Sequence, residues 1–447
     1  MPSLSLRQLH PMRPDSPAST ISSGSSAAGL SIVSSGSLSS SSPHRLLSRL
    51  GPSSSLGGMT VVIENQKPYY TVGDCLSGAV ILKPKNDTEF AEIYIALEGT
   101  AKSWNESASV VCGRVDAKDT FLKMSSPVQE DDYPSPKIFR AGVTYKFNFS
   151  FVLPEHLLES HCDRVLCHRH LPSTLGDPNM RSELDDCSPN MARITYQIIG
   201  KVFNTKDNSS RKSVPYTAST PIAVIAAYMS DIRNIPHSHY KDQEVSFTSG
   251  GSIRFYRTAK TLKKGIIGRS TIGNLALELS VLKPFVYLKN ESIPLLLGLS
   301  YSHLANVKKS DIVIPNVESV SVKLRVYTYF TTVPMTYIPH PKSRAVDARL
   351  GLYQESFTIA NYTFTAPTQL EWAKESDTHY SFNATIPLTQ PKHRALVPNF
   401  WSCLIGRQYE AEVTVKLSGS GAQTIGLKIP IEVTTDKIAD QVLNMTV

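Results

Sequence analysis

The stretch Tyr145-Lys-Phe-Asn-Phe-Ser-Phe-Val-Leu153-Pro154 decides the fold class of this chain. Apolar residues occupy every second position, with polar residues at most of the positions between them. Successive side chains of a β-strand point to opposite faces, so the pattern predicts a half-buried strand that Pro154 ends. The residues on the predicted buried face are Tyr145, Phe147, Phe149, Phe151 and Leu153.

A second stretch, Arg193–Phe203, repeats this alternation, with Ile194, Tyr196, Ile198 and Val202 on its apolar side. Two half-buried strands need a second sheet to cover them. Further short strands are predicted nearby, without a pattern for a long helix, and residues 103–141 are predicted to hold edge strands and a long loop. This spacing indicates a β-sandwich over residues 59–226. The other predicted strands are Val61–Ile63, Ala79–Leu82, Glu92–Glu98 (which Gly99 ends) and Thr220–Ile225.

The pattern restarts behind a polar segment, residues 227–252, which is predicted to be a linker. Residues 253–436 again carry alternating aliphatic residues, and a Gly419-Ser-Gly421 turn predicts that the last two strands form a hairpin. Residues 437–447 are predicted to be a C-terminal tail. The fold class is therefore all-β, with two tandem immunoglobulin-like β-sandwich domains. The predicted inward-facing residues include Leu275, Leu277, Leu279, Ile293, Leu295, Leu297, Leu299, Val320, Val322, Leu324, Val326, Tyr409, Ala411, Val413, Val415, Leu417, Ile425, Leu427, Ile429 and Ile431.

The first 58 residues have a different composition, because 20 of them are serine. Their only acidic residue is Asp15, against four arginines. Such a segment buries too little apolar surface to offset the entropy of ordering it, so we predict a disordered Ser-rich N-terminal tail over residues 1–58. A transit peptide is the alternative, since it shares the serine-rich, acid-poor composition.

The totals exclude several classes of protein. The net charge of +8 over 447 residues is modest and dispersed, and the chain has no motif of a nucleic-acid-binding module. No apolar run approaches the ~20 residues that span a bilayer, and the N-terminus has no signal-peptide core. Six cysteines in so long a chain do not form a disulfide scaffold, which favours a reduced, cytoplasmic compartment.

Separated motifs in a fixed order resemble the arrestin family, and in particular fungal α-arrestins. The resemblance covers about residues 60–435 and implies the arrestin type of β-sandwich for both domains. The motifs are Tyr70-x-x-Gly73-Asp74-x-x-x-Gly78-x-Val80, Ile93-x-Ile95-x-Leu97-Glu98-Gly99, Gly142-x-x-Tyr145 with its aromatic strand and Leu153-Pro154, Leu171-Pro-Ser-Thr-Leu-Gly-Asp177, Asn290-Glu-Ser-Ile293, Val320-x-Val322-x-Leu324 and Arg407-x-Tyr409.

The resemblance implies a non-enzymatic adaptor, peripheral to the plasma membrane or endosomes, that binds the cytosolic tails of membrane transporters or receptors. Family members bring a HECT-type ubiquitin ligase to such cargo through Pro-Pro-x-Tyr motifs. This sequence has no Pro-Pro pair; Lys67-Pro-Tyr-Tyr70 and Val214-Pro-Tyr216 have one proline each. The alternative is a retromer-like or coat-like structural subunit with the same fold that recruits no ligase.

No catalytic, cofactor or metal site is predicted, because the chain lacks the nucleophile-elbow, phosphate-loop and His-Glu-x-x-His motifs. One alternative is a zinc site in the Cys/His-rich segment 161–187. Zinc takes four nitrogen or sulfur ligands, but the spacing here is loose and no second pair mirrors the first. The alternative ligands are Cys162, Cys167 and Cys187, with His168 or His170. The other interpretation is a loop with buried thiols.

A basic segment, residues 253–264, is the candidate for contact with an anionic membrane. Read as a helix, it puts Phe255, Ala259 and Leu262 on one side and the basic residues around the rest. Each Lys or Arg near an anionic surface contributes ~1 kcal/mol. The alternative is a solvated connector into the second domain. The predicted membrane-binding residues are Arg254, Arg257, Lys260, Lys263 and Lys264.

Overall fold

The computed structural model describes the chain from residue 54 to residue 439, with gaps. The predicted disordered tail, residues 1–58, lies outside the described residues apart from 54–56 and 58. No helix among the described residues is long and apolar enough to cross a bilayer. The described ranges are 54–56, 58–106, 113–157, 162, 165–179, 184–204, 214–228, 244–247, 254–264, 270–304, 312–364, 372–418 and 423–439.

The N-terminal half, the described residues from 54 to 228, is built from short and medium strands. Two 3-10 turns, Glu130–Asp132 and Leu166–Arg169, lie between them. The strands are β1 (Ser54–Leu56), β2 (Met59–Ile63), β3 (Cys75–Leu82), β4 (Thr88–Glu89), β5 (Glu92–Glu106), β6 (Arg114–Ser126), β7 (Ile138–Phe139), β8 (Tyr145–Val152), β9 (Ala192–Phe203) and β10 (Tyr216–Ile222).

These strands form two antiparallel sheets and a small third one. The larger sheet has the order β1-β10-β9-β5-β6, and the facing sheet has the order β2-β3-β8. Strands β4 and β7 pair beside them. Aromatic and aliphatic side chains from both sheets fill one buried core, so this half is a β-sandwich.

The C-terminal half, the described residues from 244 to 439, repeats the architecture with longer strands. A 3-10 turn at Pro341–Ala345 and a helical turn at residues 436–439 accompany them. The strands are β11 (Glu244–Phe247), β12 (Arg254–Lys264), β13 (Ser270–Val281), β14 (Phe285–Val286), β15 (Ile293–His303), β16 (Asn316–Phe330), β17 (Gly351–Thr363), β18 (Ala373–Lys374), β19 (His379–Leu388), β20 (Phe400–Trp401), β21 (Ile405–Ser418), β22 (Gln423–Ile431) and β23 (Val433–Thr434).

Two antiparallel sheets again face each other across an apolar core. One has the order β11-β12-β13-β15-β19-β18; the other has β17-β16-β21-β20, with β22 also paired to β21. The short strands β14 and β23 pair in parallel. Among the described strands, every ladder stays within its own half. The all-β fold class with two β-sandwiches is thus confirmed.

The alternation predicted for the organising strand is confirmed. In β8 the side chains of Phe147, Phe149 and Phe151 are buried, and the residues between them are exposed. The hairpin of β21 and β22 forms as predicted, with register from Tyr409↔Ile431 to Leu417↔Gln423. Its Gly419–Gly421 turn lies outside the described residues. Period-two patterns therefore located the cores of both halves.

Four details differ from the sequence-based expectations. Strand β5 does not stop at Gly99 but continues to Glu106 with a register shift. Strand β1 lies within the range predicted as tail and pairs with β10. Strand β11 lies within the predicted linker 227–252, most of which is outside the described residues, and it pairs with β12. The basic segment is the strand β12, so its reading as a helix or a solvated connector was wrong.

Candidate functional site at the junction of the two halves

An apolar surface of the C-terminal half packs into the core of the N-terminal half. Its buried residues come from the end of β16, from β20, from the loop before β20 and from the turn into β21. In addition, the rings of Tyr69 and Tyr287 meet edge to face with centroids 5.3 Å apart. The two sandwiches therefore share an apolar contact, which we call the junction. The C-terminal residues in it are Phe330, Val397, Phe400, Leu404 and Ile405.

Backbone hydrogen bonds tie a loop of the N-terminal half to the other half at the junction. The Asp185 N–H donates to the His393 carbonyl at 3.3 Å, and the Ala395 N–H donates to the Asp185 carbonyl at 2.9 Å. The Arg394 guanidinium pairs with the Asp185 carboxylate and lies 3.8 Å from a carboxylate oxygen of Glu355. The loop is thus held by both main-chain and charged contacts.

Two consecutive turns shape this loop. The Asp185 carboxylate accepts the Cys187 N–H at 2.9 Å, and the Asp186 carboxylate accepts the Ser188 N–H at 3.0 Å. Asp186 also accepts the Gly176 N–H at 2.6 Å, which anchors the turns to the preceding segment. Aspartate side chains favour such local bonds. Cys187, which follows the two aspartates, has a left-handed backbone with φ 57°. The loop thereby presents the Cys187 carbonyl to the C-terminal half.

A buried arginine receives that carbonyl. Arg407 at the start of β21 is fully buried, and its Nη2 donates to the Cys187 carbonyl at 3.3 Å. Among the described residues, its Nε and Nη1 have no hydrogen-bond partner. Burial raises the pKa of the Cys187 thiol to about 12, although the Arg407 charge opposes that shift. Cys187 is therefore an inert, protonated thiol, because the thiolate is the reactive form.

A polar layer covers the outer face of the sheet next to the junction. The Tyr327 hydroxyl donates to the Glu410 carboxylate at 2.9 Å, and the Tyr329 hydroxyl donates to the Gln408 amide oxygen at 3.3 Å. Burial, and then the Glu410 charge, raise the pKa of both tyrosines. The start of β21 is consequently buried on both faces, so it is not an exposed docking surface.

A second group of polar side chains crosses the junction. Cys162, His168 and Cys403 are all buried, and one ligand atom from each lies within 4.8 Å of the others. His168 lies in the 3-10 turn of the N-terminal half and Cys162 precedes that turn, whereas Cys403 lies in the turn between β20 and β21. The structure thus brings together a Cys/His cluster from both halves.

The other predicted zinc ligands lie elsewhere or contribute differently. The His170 ring stacks on Tyr228 at 4.1 Å and on His156 at 5.1 Å, and burial lowers its pKa. Cys187 contacts Arg407, as described above. Burial raises the pKa of the partly buried Cys167 thiol to about 11. The segment therefore supplies Cys162 and His168 to the cluster, but not the full ligand set considered from the sequence.

Two family models match the chain, one in each half. Residues 59–179 match the model described as arrestin (or S-antigen), N-terminal domain, and residues 330–435 match the model of the Bul1 C terminus. The chain is an arrestin-like protein. The sequence has no significant match among curated proteins. Domains of the arrestin family are adaptor folds and not catalytic ones.

Both matched ranges of this arrestin-like chain reach the junction. The N-terminal match contains Cys162 and His168, and the C-terminal match contains Cys403 and Arg407. Cys187 lies outside both ranges. The junction is thus formed where the two matched regions of the arrestin-like protein meet.

The predicted membrane-binding residues do not share one face, because they alternate along β12. Arg254 is buried and donates to the Tyr256 hydroxyl at 3.1 Å. Arg257 lies 3.8 Å from the Glu244 carboxylate, and the Lys260 ammonium donates to the Thr424 carbonyl at 2.9 Å. Lys263 is exposed; the side chain of Lys264 lies outside the described ones. The membrane role itself stays a prediction.

Sequence reasoning missed Cys403 and Arg407 as members of a site in the arrestin-like protein. The sequence does indicate that Arg407 is buried. It is two residues from Tyr409 and four from Ala411, so its side chain lies on the same inward face of β21. A charged side chain on a buried face needs a hydrogen-bond or charged partner, because burying it alone is costly. Cys403 carried no local signal, since its neighbours Cys162 and His168 are remote in sequence.

Proposed function

We propose that this arrestin-like protein is a non-enzymatic, cytoplasmic adaptor that binds cytosolic segments of membrane transporters or receptors and supports their endocytosis or ubiquitin-dependent sorting. The observation that carries the proposal is the pair of family matches, at residues 59–179 and 330–435, on a chain with two joined β-sandwiches. Bul1 is itself a yeast arrestin-related adaptor, which favours a fungal α-arrestin role for this chain.

The proposal places cargo on an open sheet edge. Strand β6 ends the larger N-terminal sheet and pairs with β5 alone among the described strands. Most of its residues are exposed or half-buried, including Val115 at 46% exposure. An edge strand offers unpaired main-chain groups to which an extended peptide can add as a further strand. An unstructured cytosolic tail has the chemistry for this mode of binding.

Ligase recruitment, in this proposal, does not use a Pro-Pro-x-Tyr motif of the folded body. The chain contains no Pro-Pro pair. The tyrosines of its two single-proline sequences, Tyr70 and Tyr216, are buried at 2% and 8% exposure and cannot enter a peptide-binding groove. A HECT-type ligase would therefore reach the cargo through another partner, such as a second arrestin.

Affinity purification of the full chain from its native cell tests the adaptor role against the coat-like alternative. An adaptor is expected to recover membrane transporters or receptors in substoichiometric amounts, together with a ubiquitin ligase. A fixed set of soluble subunits at equal stoichiometry, without membrane proteins, would instead establish a structural coat subunit. The measurement is quantitative mass spectrometry of the eluate.

Contact with an anionic membrane is a separate part of the proposal. Arg257, Lys260 and Lys263 are exposed on β12, whereas Arg254 is buried and contributes little. Reversing these three charges to glutamate is expected to abolish pelleting of the protein with acidic liposomes, since each cation near such a surface contributes ~1 kcal/mol. Unchanged pelleting would contradict the membrane contact.

The matched control reverses three exposed lysines elsewhere. Lys85, Lys118 and Lys146 lie on the N-terminal half and are exposed. Their reversal changes the net charge by the same amount, so pelleting should fall much less if β12 is the contact. Equal loss in both variants would show a response to overall charge and not to this strand.

A further inference from the structure

The cluster of Cys162, His168 and Cys403 has the composition of a zinc site. All three residues are buried, and the three ligand atoms lie within 4.8 Å of one another. Both cysteines are reduced thiols in this structure. Thiolate and imidazole are the ligands that zinc prefers in proteins. The set also joins two segments that are far apart in the chain.

The spacing within the cluster fits tetrahedral coordination. Zinc binds sulfur at about 2.3 Å and nitrogen at about 2.0 Å, so a tetrahedral S···N edge is about 3.5 Å long. The Cys162 Sγ lies 3.7 Å from the His168 Nδ1. These two donor atoms are thus already close to the separation that a shared zinc ion requires. The Cys403 sulfur lies within 4.8 Å of the other two ligand atoms, so it would need to move only slightly closer to join them.

Both segments of the cluster are anchored by bonds other than those of the thiols. The Arg169 Nε donates to the Cys162 carbonyl at 3.1 Å, and the His168 N–H donates to the Val165 carbonyl at 3.0 Å. On the other side, the Met335 N–H donates to the Cys403 carbonyl at 2.8 Å, and the Ile405 N–H donates to the Ser402 hydroxyl at 3.2 Å. The fold therefore sets the positions of the donors in advance.

Charge balance is compatible with a divalent cation. When the two thiols lose their protons on binding zinc, the two thiolate charges and the charge of the ion cancel, so the buried site stays neutral.

We propose that Cys162, His168 and Cys403 bind a zinc ion that ties the 3-10 turn of the N-terminal half to the β20–β21 turn of the C-terminal half. The ion fixes the relative orientation of the two sandwiches at the junction. Because the thiols must lose their protons to bind it, zinc affinity falls as the pH is lowered.

The test is the metal content of the full chain, produced in a reducing cytosol with added zinc. The wild type is expected to hold about one zinc per chain, and the double variant Cys162→Ser, Cys403→Ser to lose it. Cys75→Ser is the matched control, because Cys75 is an exposed thiol remote from the cluster; it should keep the metal. Circular dichroism and gel filtration establish that each variant is folded.

Cobalt supplies a readout that needs no variant. The wild-type protein loaded with Co²⁺ is expected to show thiolate-to-cobalt charge-transfer absorption and the strong visible bands of tetrahedral coordination. A chelator should lower the melting temperature of the wild type and of Cys75→Ser, but not that of the double variant. Protein free of zinc, zinc retained by the folded double variant, or a Cys162–Cys403 disulfide in the intact mass would each overturn the proposal.

Discussion

The aromatic strand β8 and the junction between the halves are both buried, but the junction adds polar groups to its apolar contact. In β8, three phenylalanines face a core of other apolar side chains. At the junction, the fully buried Arg407 and the cluster of Cys162, His168 and Cys403 accompany the apolar contact. The apolar core around β8 stabilises the N-terminal half. The polar groups of the junction contact both halves, and their burial costs the free energy of removing them from water. Stability and orientation are therefore expected to respond to different substitutions.

The largest effect is expected in the core. Phe149 is 4% exposed, and a Cβ added at Gly78 on the neighbouring strand would lie 2.7 Å from its ring, so the packing there is tight. Phe149→Ala should lower the free energy of unfolding by about 3–5 kcal/mol in urea titrations. Val152→Ala on the exposed face of the same strand is the control, with a change of about 0.5 kcal/mol or less. Equal losses would contradict the assignment of faces.

A smaller effect, dependent on pH, is expected at Asp177. Burial raises the pKa of its carboxyl group above the ordinary 3.8, against the Asn179 N–H bond, which lowers it. When the pH rises above 3.8, the Asp177 carboxyl group ionises in the unfolded state before it ionises in the folded state. The free energy of unfolding of the wild type therefore falls, whereas that of Asp177→Asn, which has no carboxyl group there, does not. The variant should be the more stable protein at about pH 7, and the difference should disappear as the pH falls below the ordinary pKa of 3.8.

Asp87 is the matched control of opposite sign. The Ala141 N–H and then the Arg140 side chain hold the pKa of its exposed carboxyl group below 3.8. Its contribution is present above that value and lost as the pH falls through the lowered pKa. Asp87→Asn should therefore be less stable than the wild type near neutral pH. Parallel pH profiles for both variants would contradict the burial of Asp177.

A still smaller net change is expected at Arg407. Arg407→Met loses one hydrogen bond to the Cys187 carbonyl, but it also removes two buried nitrogen atoms, Nε and Nη1, that have no hydrogen-bond partner among the described residues. These effects oppose each other, so the free energy of unfolding should change by about 1 kcal/mol or less. A loss as large as that of Phe149→Ala would show that the fold depends on the Arg407 charge, and would remove the contrast between core and junction.

The smallest effect is expected at the rim of the junction. Arg394 and Asp185 are paired with side-chain exposures of 29% and 53%, and such pairs contribute about 0.5 kcal/mol. Arg394→Ala should lower the free energy of unfolding by about 0.5 kcal/mol at low salt and by less at high salt. Lys374→Ala, at an exposed pair with Asp377, is the control and should have no measurable effect. A loss independent of salt would indicate a packing role for Arg394.

The sequence predicted the features that depend on the local alternation of apolar and polar residues, namely which face of a strand is buried. The faces of β8, β9 and β21 were read correctly because one side of each strand is buried. Gly99 was misread as a strand end: a Cβ there would lie 2.5 Å from the Phe121 ring, so this glycine admits a neighbouring side chain while β5 continues. The basic segment was read with helical spacing, but pairing with β11 and β13 makes it a strand.

The junction could not be predicted in the same way, because its contacts join residues that are remote in sequence. Cys403 comes next to Cys162 and His168 only after both sandwiches have formed. The Cys187 carbonyl reaches Arg407 because two aspartate turns orient it. Sequence patterns of period two report which face is buried; they do not report which distant residue covers it.

Proximity labelling with the intact chain in its native cell is the most direct test of the central claim, that this arrestin-like protein docks on membrane-protein cargo. The proposed adaptor role predicts that integral membrane proteins with cytosolic tails are the main enriched class, at the plasma membrane or endosomes. Enrichment of soluble proteins alone, with no membrane protein above background, would contradict it.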